Sequence, residues 1–323
     1  MKCAFVLPYF GKFNNYFPLF LKSCAKNLKY DWIIYTDDKT SYKYPPNVHV
    51  HYTTFEKIKS LCEKKLQMAI SLEKPYKLCD FKPAYGLVFE DDLKNYDYWG
   101  HCDCDVIFGD MNQLLTPLLN QGYDKLFAAG HLTVYKNTYE NVRRFMKKYH
   151  NRSLYKEFLT VPEICWFDED WKSDNVHSLF IEDGAKVCCE FLAYNPSGNY
   201  LQFVQRTYNS ETRKYVEGNK NKSICYWDDG TVGVYDLKTK FKTEYLYVHL
   251  QHRKMAVKCG VEESNSFVIL PNEFYKIDSC DCNTLERINP IPLSAYIYLV
   301  NRFFKRVKRK LKIGERKDDS KKS

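Results

Sequence analysis

Trp99-Gly100-His101-Cys102-Asp103-Cys104-Asp105-Val106-Ile107-Phe108 is the stretch on which the reading of this chain turns. Its first residues predict a short strand that runs into two acids, after which apolar residues resume. Two carboxylates one residue apart at a strand end can point the same way once the chain turns. Hard divalent ions such as Mg²⁺ and Mn²⁺ take carboxylate and phosphate oxygens as ligands. A metal held there can bridge a diphosphate and neutralise charge on a leaving group. Alone, Asp-x-Asp fits a solvated turn or a helix N-cap equally well. Its context argues for a ligand role, because it follows three candidate strands and lies at a strand's carboxyl end, where open α/β sheets bind ligands.

Upstream, Cys3–Leu7 is an apolar run ending at Pro8 and suits a buried first strand. Residues 16–28 place Phe17, Phe20, Leu21, Cys24 and Leu28 at helical spacing. Residues 31–35 and 48–52 read as further strands and 54–72 as a helix, and Lys82-Pro83 opens another apolar segment, Ala84–Phe89. Strands alternating with helical patterns predict βαβ units and a mostly parallel sheet. The turn after the first strand, Pro8–Lys12, leads into a helix and is a natural place for a nucleotide, though it is not the glycine-rich dinucleotide fingerprint. Thr36-Asp37-Asp38, after the second strand, could hold a base or ribose, or be an ordinary polar loop. Lys77 and Asp80 are three residues apart and could be a helix-face pair. Lys82, a compact cation, is better placed for phosphate.

Downstream, 111–119 and 138–149 read as helices, and short strands are expected at 187–193, 200–205, 231–235 and 244–250. Phe167-Asp168-Glu169-Asp170-Trp171 sets three acids among aromatic rings. Such surroundings raise a carboxyl's pKa and move it toward general-base work near neutral pH. In His249-Leu250-Gln251-His252-Arg253-Lys254 one histidine could complete a metal site, and Arg253 or Lys254 could meet phosphate. Gly130-His131-Leu132-Thr133 is placed to line an acceptor pocket.

The composition supplies ample core: 45% of the 323 residues are hydrophobic and 16% aromatic, which excludes wholesale disorder. Lys and Arg number 49 against 40 Asp and Glu, a net charge of +9. Eleven of those cations and three acids fall in Arg302–Ser323, so nearly all the excess sits in the tail. A chain-wide basic surface for nucleic acid is therefore not supported. The thirteen cysteines are scattered, without a C-x-x-C, which points to reduced thiols in a cytosolic protein. No signal peptide or transmembrane helix is expected. Tyr296, Val300, Phe303, Val307 and Leu311 recur at steps of three or four, one face of a helix over 294–312, with basic residues filling much of the remainder. Such a helix can lie in an anionic membrane interface or pack on the domain. Residues 314–323 read as a disordered charged end.

Together, Val6–Gly11, Trp32–Asp38, Lys77–Gly86, Asp103–Asp110, Gly130–Leu132, Phe167–Glu169 and His249–His252 resemble bacterial GT-A glycosyltransferases of capsule and lipopolysaccharide biosynthesis, over roughly residues 1–255. The resemblance implies a GT-A-like, Rossmann-like α/β domain over 1–290, with a nucleotide-binding half at about 1–110 and an acceptor half at about 111–290. A basic amphipathic tail follows over 291–323. It implies a nucleotide-sugar donor, usually a UDP-sugar, held with Mn²⁺ or Mg²⁺, and a glycan or lipid-linked acceptor. Asp103 and Asp105 then match the metal and diphosphate motif, and His249 or His252 the late third ligand. Phe10 and Gly11 match the first nucleotide loop, Asp37 or Asp38 the base and ribose loop, and Asp80 and Lys82 the segment before the metal motif. Asp168 or Glu169 matches the general base of an inverting enzyme. The expected location is the cytoplasmic face of the membrane, with no nucleic-acid partner. The competing readings are a non-catalytic membrane-surface protein on the same scaffold and a nucleotidyltransferase or nucleotide-sugar hydrolase.

Overall fold

Cys3–Leu7 is buried along its whole length, and its side chains alternate between two cores. Phe5 and Leu7 join Phe17, Phe20, Trp32 and Phe108 on one side of the sheet, and Ala4 and Val6 join Ile33, Cys62, Phe81 and Trp99 on the other. A strand covered on both faces reads as a continuous apolar run because neither alternate set meets water.

The computed structural model describes residues 1–170, 173–251, 253–304 and 307. In chain order the strands are β1 (Cys3–Tyr9), β2 (Tyr30–Thr36), β3 (Val48–Tyr52), β4 (Tyr98–Cys102), β5 (Val106–Phe108), β6 (Lys125–Leu126), β7 (Leu132–Lys136), β8 (Val187–Cys188) and β9 (Ala193–Tyr194). They continue with β10 (Arg206–Asn209), β11 (Lys214–Glu217), β12 (Ser223–Asp228), β13 (Thr231–Asp236), β14 (Lys242–Tyr245), β15 (Tyr247–His249), β16 (Ala256–Val257), β17 (Ser266–Leu270) and β18 (Glu273–Lys276). The main sheet has seven strands in the order β3-β2-β1-β4-β7-β6-β8. Its pairings are parallel except on the two sides of β7, so β7 alone runs against the others. The fold is therefore α/β with a mostly parallel main sheet. The order reverses at β1, which lies between β2 and β4. The carboxyl ends of β1 and β4 open at this switch point, where sheets of this type have their ligand crevice.

Helix α1 (Phe17–Ala25) buries Phe17, Phe20 and Leu21, and α2 (Phe55–Leu66) buries Ile58, Cys62 and Leu66. The helix expected over 54–72 ends at Leu66 because Gln67 takes a left-handed conformation, φ 53°. The apolar segment Ala84–Phe89 follows a 3₁₀ turn, Pro75–Ala84, and is helical over Tyr85–Val88. A short buried run carries no periodicity that separates strand from helix. The helix expected at 111–119 is two short ones, Met111–Leu114 and Thr116–Asn120, the second with Pro117 in its first turn. The helix expected at 138–149 spans Tyr139–Arg143 and continues as a 3₁₀ turn. No strand forms at 200–205, where Gln205 makes a single bridge to Pro196.

The C-terminal half holds a second sheet, in the order β14-β13-β12-β17-β18-β16, antiparallel except for the β16–β18 pair. Asp229 and Gly230, at φ 45° and 106°, join β12 to β13 through a two-residue turn. Two positive-φ residues give the twist that matches an antiparallel hairpin. This sheet meets the N-terminal half through a core containing Leu19, Ile107, Trp227 and Phe267, and the Trp227 indole N–H donates to the Phe108 carbonyl at 3.0 Å. The thirteen cysteines are free thiols. Among the described residues no helix is long and apolar enough to cross a membrane.

Candidate active site

β15 is the strand that assembles the site. It pairs antiparallel with β5, in a register that sets His249 opposite Val106. The Leu250 N–H then donates to the Asp105 carbonyl at 2.9 Å. His249 is thereby brought beside the two acids that follow β4. Its Nε2 lies 3.5 Å from Asp105 Oδ1 and 4.0 Å from Asp103 Oδ2. Ligand atoms of Asp103, Asp105 and His249 all lie within 4.8 Å of one another. On the far side of the ring, Nδ1 lies 3.2 Å from Asn195 Oδ1. An amide oxygen only accepts, so Nδ1 donates to it, and Nε2 is the ring nitrogen that faces the acids. His131 stacks on the same ring at 4.2 Å, and its own Nδ1 is hydrogen-bonded to the Tyr247 hydroxyl at 2.6 Å. Two carboxylates and an oriented imidazole are a donor set suited to a divalent ion, and the imidazole favours Mn²⁺ over Mg²⁺. His252 lies outside the described residues.

A cavity of about 460 Å³ opens over these groups. Its walls include Tyr9 at the end of β1 and Phe10 after it, Tyr76 and Lys82 from the 3₁₀ segment, Asp103 and Asp105 after β4, Gly130 and His131, and Trp166, Asp168 and Glu169. Lys82 is its electrostatic hinge. The ammonium donates to Asp103 Oδ1 and to the Gly130 carbonyl, each at 2.8 Å, and lies 3.1 Å from Asp168 Oδ2. Burial by itself would lower the Lys82 pKa, but Asp103 and Asp168 hold it well above the ordinary lysine value. Lys82 is therefore charged.

The two candidate bases differ. Both are raised, first by burial. Asp168 is opposed in this by the Lys82 ammonium, which favours its ionised form. Glu169 is pushed up to about 7 by burial and then by the neighbouring Asp168 charge. Gly130 permits this crowding, since a Cβ there would stand 2.5 Å from Asp168 Oδ2 and 3.2 Å from Glu169 Cβ.

Several residues expected at the ligand instead build its support. Asp80 is buried and does not line the cavity. Its carboxylate pairs with Lys77 at 2.8 Å and accepts the backbone N–H groups of Cys165 and Phe167 at 2.9 and 3.0 Å. It thus holds the loop that presents Asp168 and Glu169. Asp38 is also buried off the cavity wall, where it accepts from Lys12 at 2.7 Å and from the Phe13 N–H at 3.1 Å. Asp37 accepts the Gly11 N–H at 2.7 Å. These bonds brace the loop after β1, and of the pair Phe10 and Gly11 only Phe10 lines the cavity. Arg253 is buried and is bonded to the Ser197 carbonyl at 2.6 Å, away from the cavity wall. Its guanidinium also lies over the rings of Phe203 and Tyr298, at 5.2 and 5.9 Å.

Asn195, Tyr76 and Trp166 were not legible as site residues. Trp166, with a left-handed backbone (φ 57°), immediately precedes the aromatic acid stretch Phe167–Trp171. Asn195 has no sequence signal, since its role exists only once β15 is paired. The site takes Asp103 and Asp105 from the segment before residue 110 and Asp168, Glu169 and His249 from the segment after it.

Residues 5–278 match the model of a family of unknown function (DUF6625), and the chain belongs to that family. Among solved structures, the crystal structure of A197 from STIV matches at 11% identity, over 69% of this chain and 96% of that chain. Its TM-score is 0.23, too low to bear on the fold. No curated protein matches.

Proposed function

We propose that this chain is a GT-A-type glycosyltransferase that moves a sugar from a nucleotide-sugar donor, a UDP-sugar in the first instance, to a glycan or lipid-linked acceptor. The observation that carries the reading is the convergence of Asp103, Asp105 and an oriented His249 at the carboxyl end of β4, under a cavity of about 460 Å³ that also holds Lys82, Asp168 and Glu169. A Mn²⁺ or Mg²⁺ ion held by those three residues supplies charge neutralisation for the diphosphate leaving group. The chain's own residues account for the rest. The Lys82 ammonium, held by Asp103, Asp168 and the Gly130 carbonyl, sets a positive charge in the cavity wall, and Tyr9, Phe10, Tyr76 and Trp166 offer aromatic surface to a base or sugar. Glu169 is the base: it takes the acceptor hydroxyl proton as that oxygen bonds to the anomeric carbon. The anomeric carbon–diphosphate bond breaks with inversion, and the nucleoside diphosphate leaves with the bonding pair. Lys82 works against the burial that raises Asp168, whereas Glu169, titrating at about 7, has the proton affinity a base needs at neutral pH.

The test is calorimetric titration of the purified chain with UDP, GDP and CMP, each with and without Mn²⁺. Metal-dependent binding of one nucleotide, lost in Asp103→Ala with the fold retained, is the expected result. A folded chain that binds none of them is a non-catalytic scaffold, and the reading fails.

A further inference from the structure

The helix over 293–304 leaves most of its apolar side chains outside the domain. The side turned to the domain is mixed, with Ser294, Ala295, Tyr298, Leu299 and Arg302 buried or half-buried. Ser294 Oγ lies 2.8 Å from Glu273 Oε2 and 3.2 Å from the Pro271 carbonyl, and Arg302 Nη2 donates to Asn199 Oδ1 at 3.1 Å while Nη1 bonds the Gly198 carbonyl. Ala295 is the small residue buried at this seam. The apolar stripe faces outward: Leu293, Ile297, Val300, Phe303, Phe304 and Val307 are between 36 and 75% exposed. A surface helix ordinarily turns that stripe to the core, because burial removes apolar area from water. Here the domain does not use it.

We infer that this face inserts into the interface of an anionic lipid bilayer. Charge selects that occupant. Residues 302–323 carry eleven Lys and Arg against three Asp and Glu, nearly the whole net charge of the chain. A second copy docked through the same face would bring two such segments together and repel. A negative lipid surface attracts the basic segment and accepts the apolar side chains at once, and these are the two signals that stable peripheral binding requires. The bonded loop Gly198–Asn199 lies a few residues beyond Asn195, which orients His249, so the membrane face and the site share one support. The inference stands independently of the proposed activity.

Co-sedimentation of the full chain with phosphatidylcholine vesicles and with equimolar phosphatidylcholine–phosphatidylglycerol vesicles tests it. The expected result is binding to the anionic vesicles at least about tenfold stronger than to the neutral ones, weakened by salt. Phe303→Glu with Ile297→Glu changes only exposed positions and is expected to abolish binding with the circular dichroism spectrum unaltered. Neutralising Lys308, Arg309 and Lys310 to Gln is expected to weaken it and to flatten its salt dependence. The inference is overturned if neither vesicle binds, if the Glu variant binds as well as the native chain, or if sedimentation shows a dimer that the Glu variant dissociates. Vesicle binding needs no nucleotide, so its outcome is separable from the titrations above.

Discussion

Lys82 and the acids around it set the chemistry of single residues. Replacing Lys82 by Met leaves the buried Asp168 carboxylate without the ammonium 3.1 Å away. Removing one partner of a buried pair costs about 3–5 kcal/mol. The loss is expected to shrink on acidification, because Asp168, whose pKa is already raised, takes up a proton and no longer needs the cation. Urea melts at about pH 7 and about pH 5 measure this, and an equal loss at both would remove the charge argument. Glu169 gives a second pH signature. Its folded pKa is raised, so the folded state holds the proton more tightly than the unfolded chain. The stability linked to that proton is present below the unfolded glutamate value and is lost as pH rises through about 7. Glu169→Gln is therefore expected to be more stable than the native chain above about pH 7, on the order of 1–3 kcal/mol, while losing transfer activity. Native turnover is expected to rise with pH through about 7 as Glu169 ionises. Activity that is flat across this range would assign the base elsewhere.

At the scale of elements, one device holds a loop of the site still and another closes a hairpin of the second sheet. Asp80 bonds Lys77 and the N–H groups of Cys165 and Phe167, so it fixes the entrance to the acid pair. Asp80→Ala strands a buried ammonium and is expected to cost about 3–5 kcal/mol. Its thermal midpoint should fall far more than that of Asp103→Ala, whose carboxylate is partly exposed. The second device is the turn at Asp229-Gly230. Gly230→Ala places a Cβ on a residue at φ 106° and 3.1 Å from Lys26 Cβ. The expected cost is about 1–2 kcal/mol, read by denaturant melting, with nucleotide affinity unchanged because the turn lies outside the cavity.

For the whole molecule, a ligand that binds only the folded chain stabilises it by mass action. Mn²⁺ at about a hundred times its Kd adds about 2.7 kcal/mol. The native chain is expected to melt several degrees higher with Mn²⁺, and Asp105→Asn to show little of that gain. A Mn²⁺ shift that persists undiminished in Asp105→Asn would locate the ion away from this triad. The same comparison with Mg²⁺ measures what the imidazole of His249 contributes, since Mg²⁺ prefers oxygen ligands.

What the sequence determined by itself was local. Apolar runs ending in Pro8, in Thr36-Asp37-Asp38 and in Asp103-Cys104-Asp105 marked the strands of the parallel half, because a strand buried on both faces has to be apolar throughout. The Asp103 and Asp105 pair was visible because both carboxylates lie within three residues. The tail's stripe and its cations were visible for the same reason. The antiparallel second sheet was not anticipated, although Asp229-Gly230 between alternating apolar residues carried the hairpin signal. Tertiary structure decided everything that depends on distant segments meeting. The pairing of β15 with β5 brings His249 to the acids, and the seating of the C-terminal helix by Ser294 and Arg302 turns its apolar stripe outward. Tertiary packing also separated acids that look alike along the chain. Asp80, Asp37 and Asp38 became braces while Asp103, Asp105 and Glu169 reached the cavity, because a carboxylate's role follows from which donors surround it, and those donors arrive from other parts of the chain.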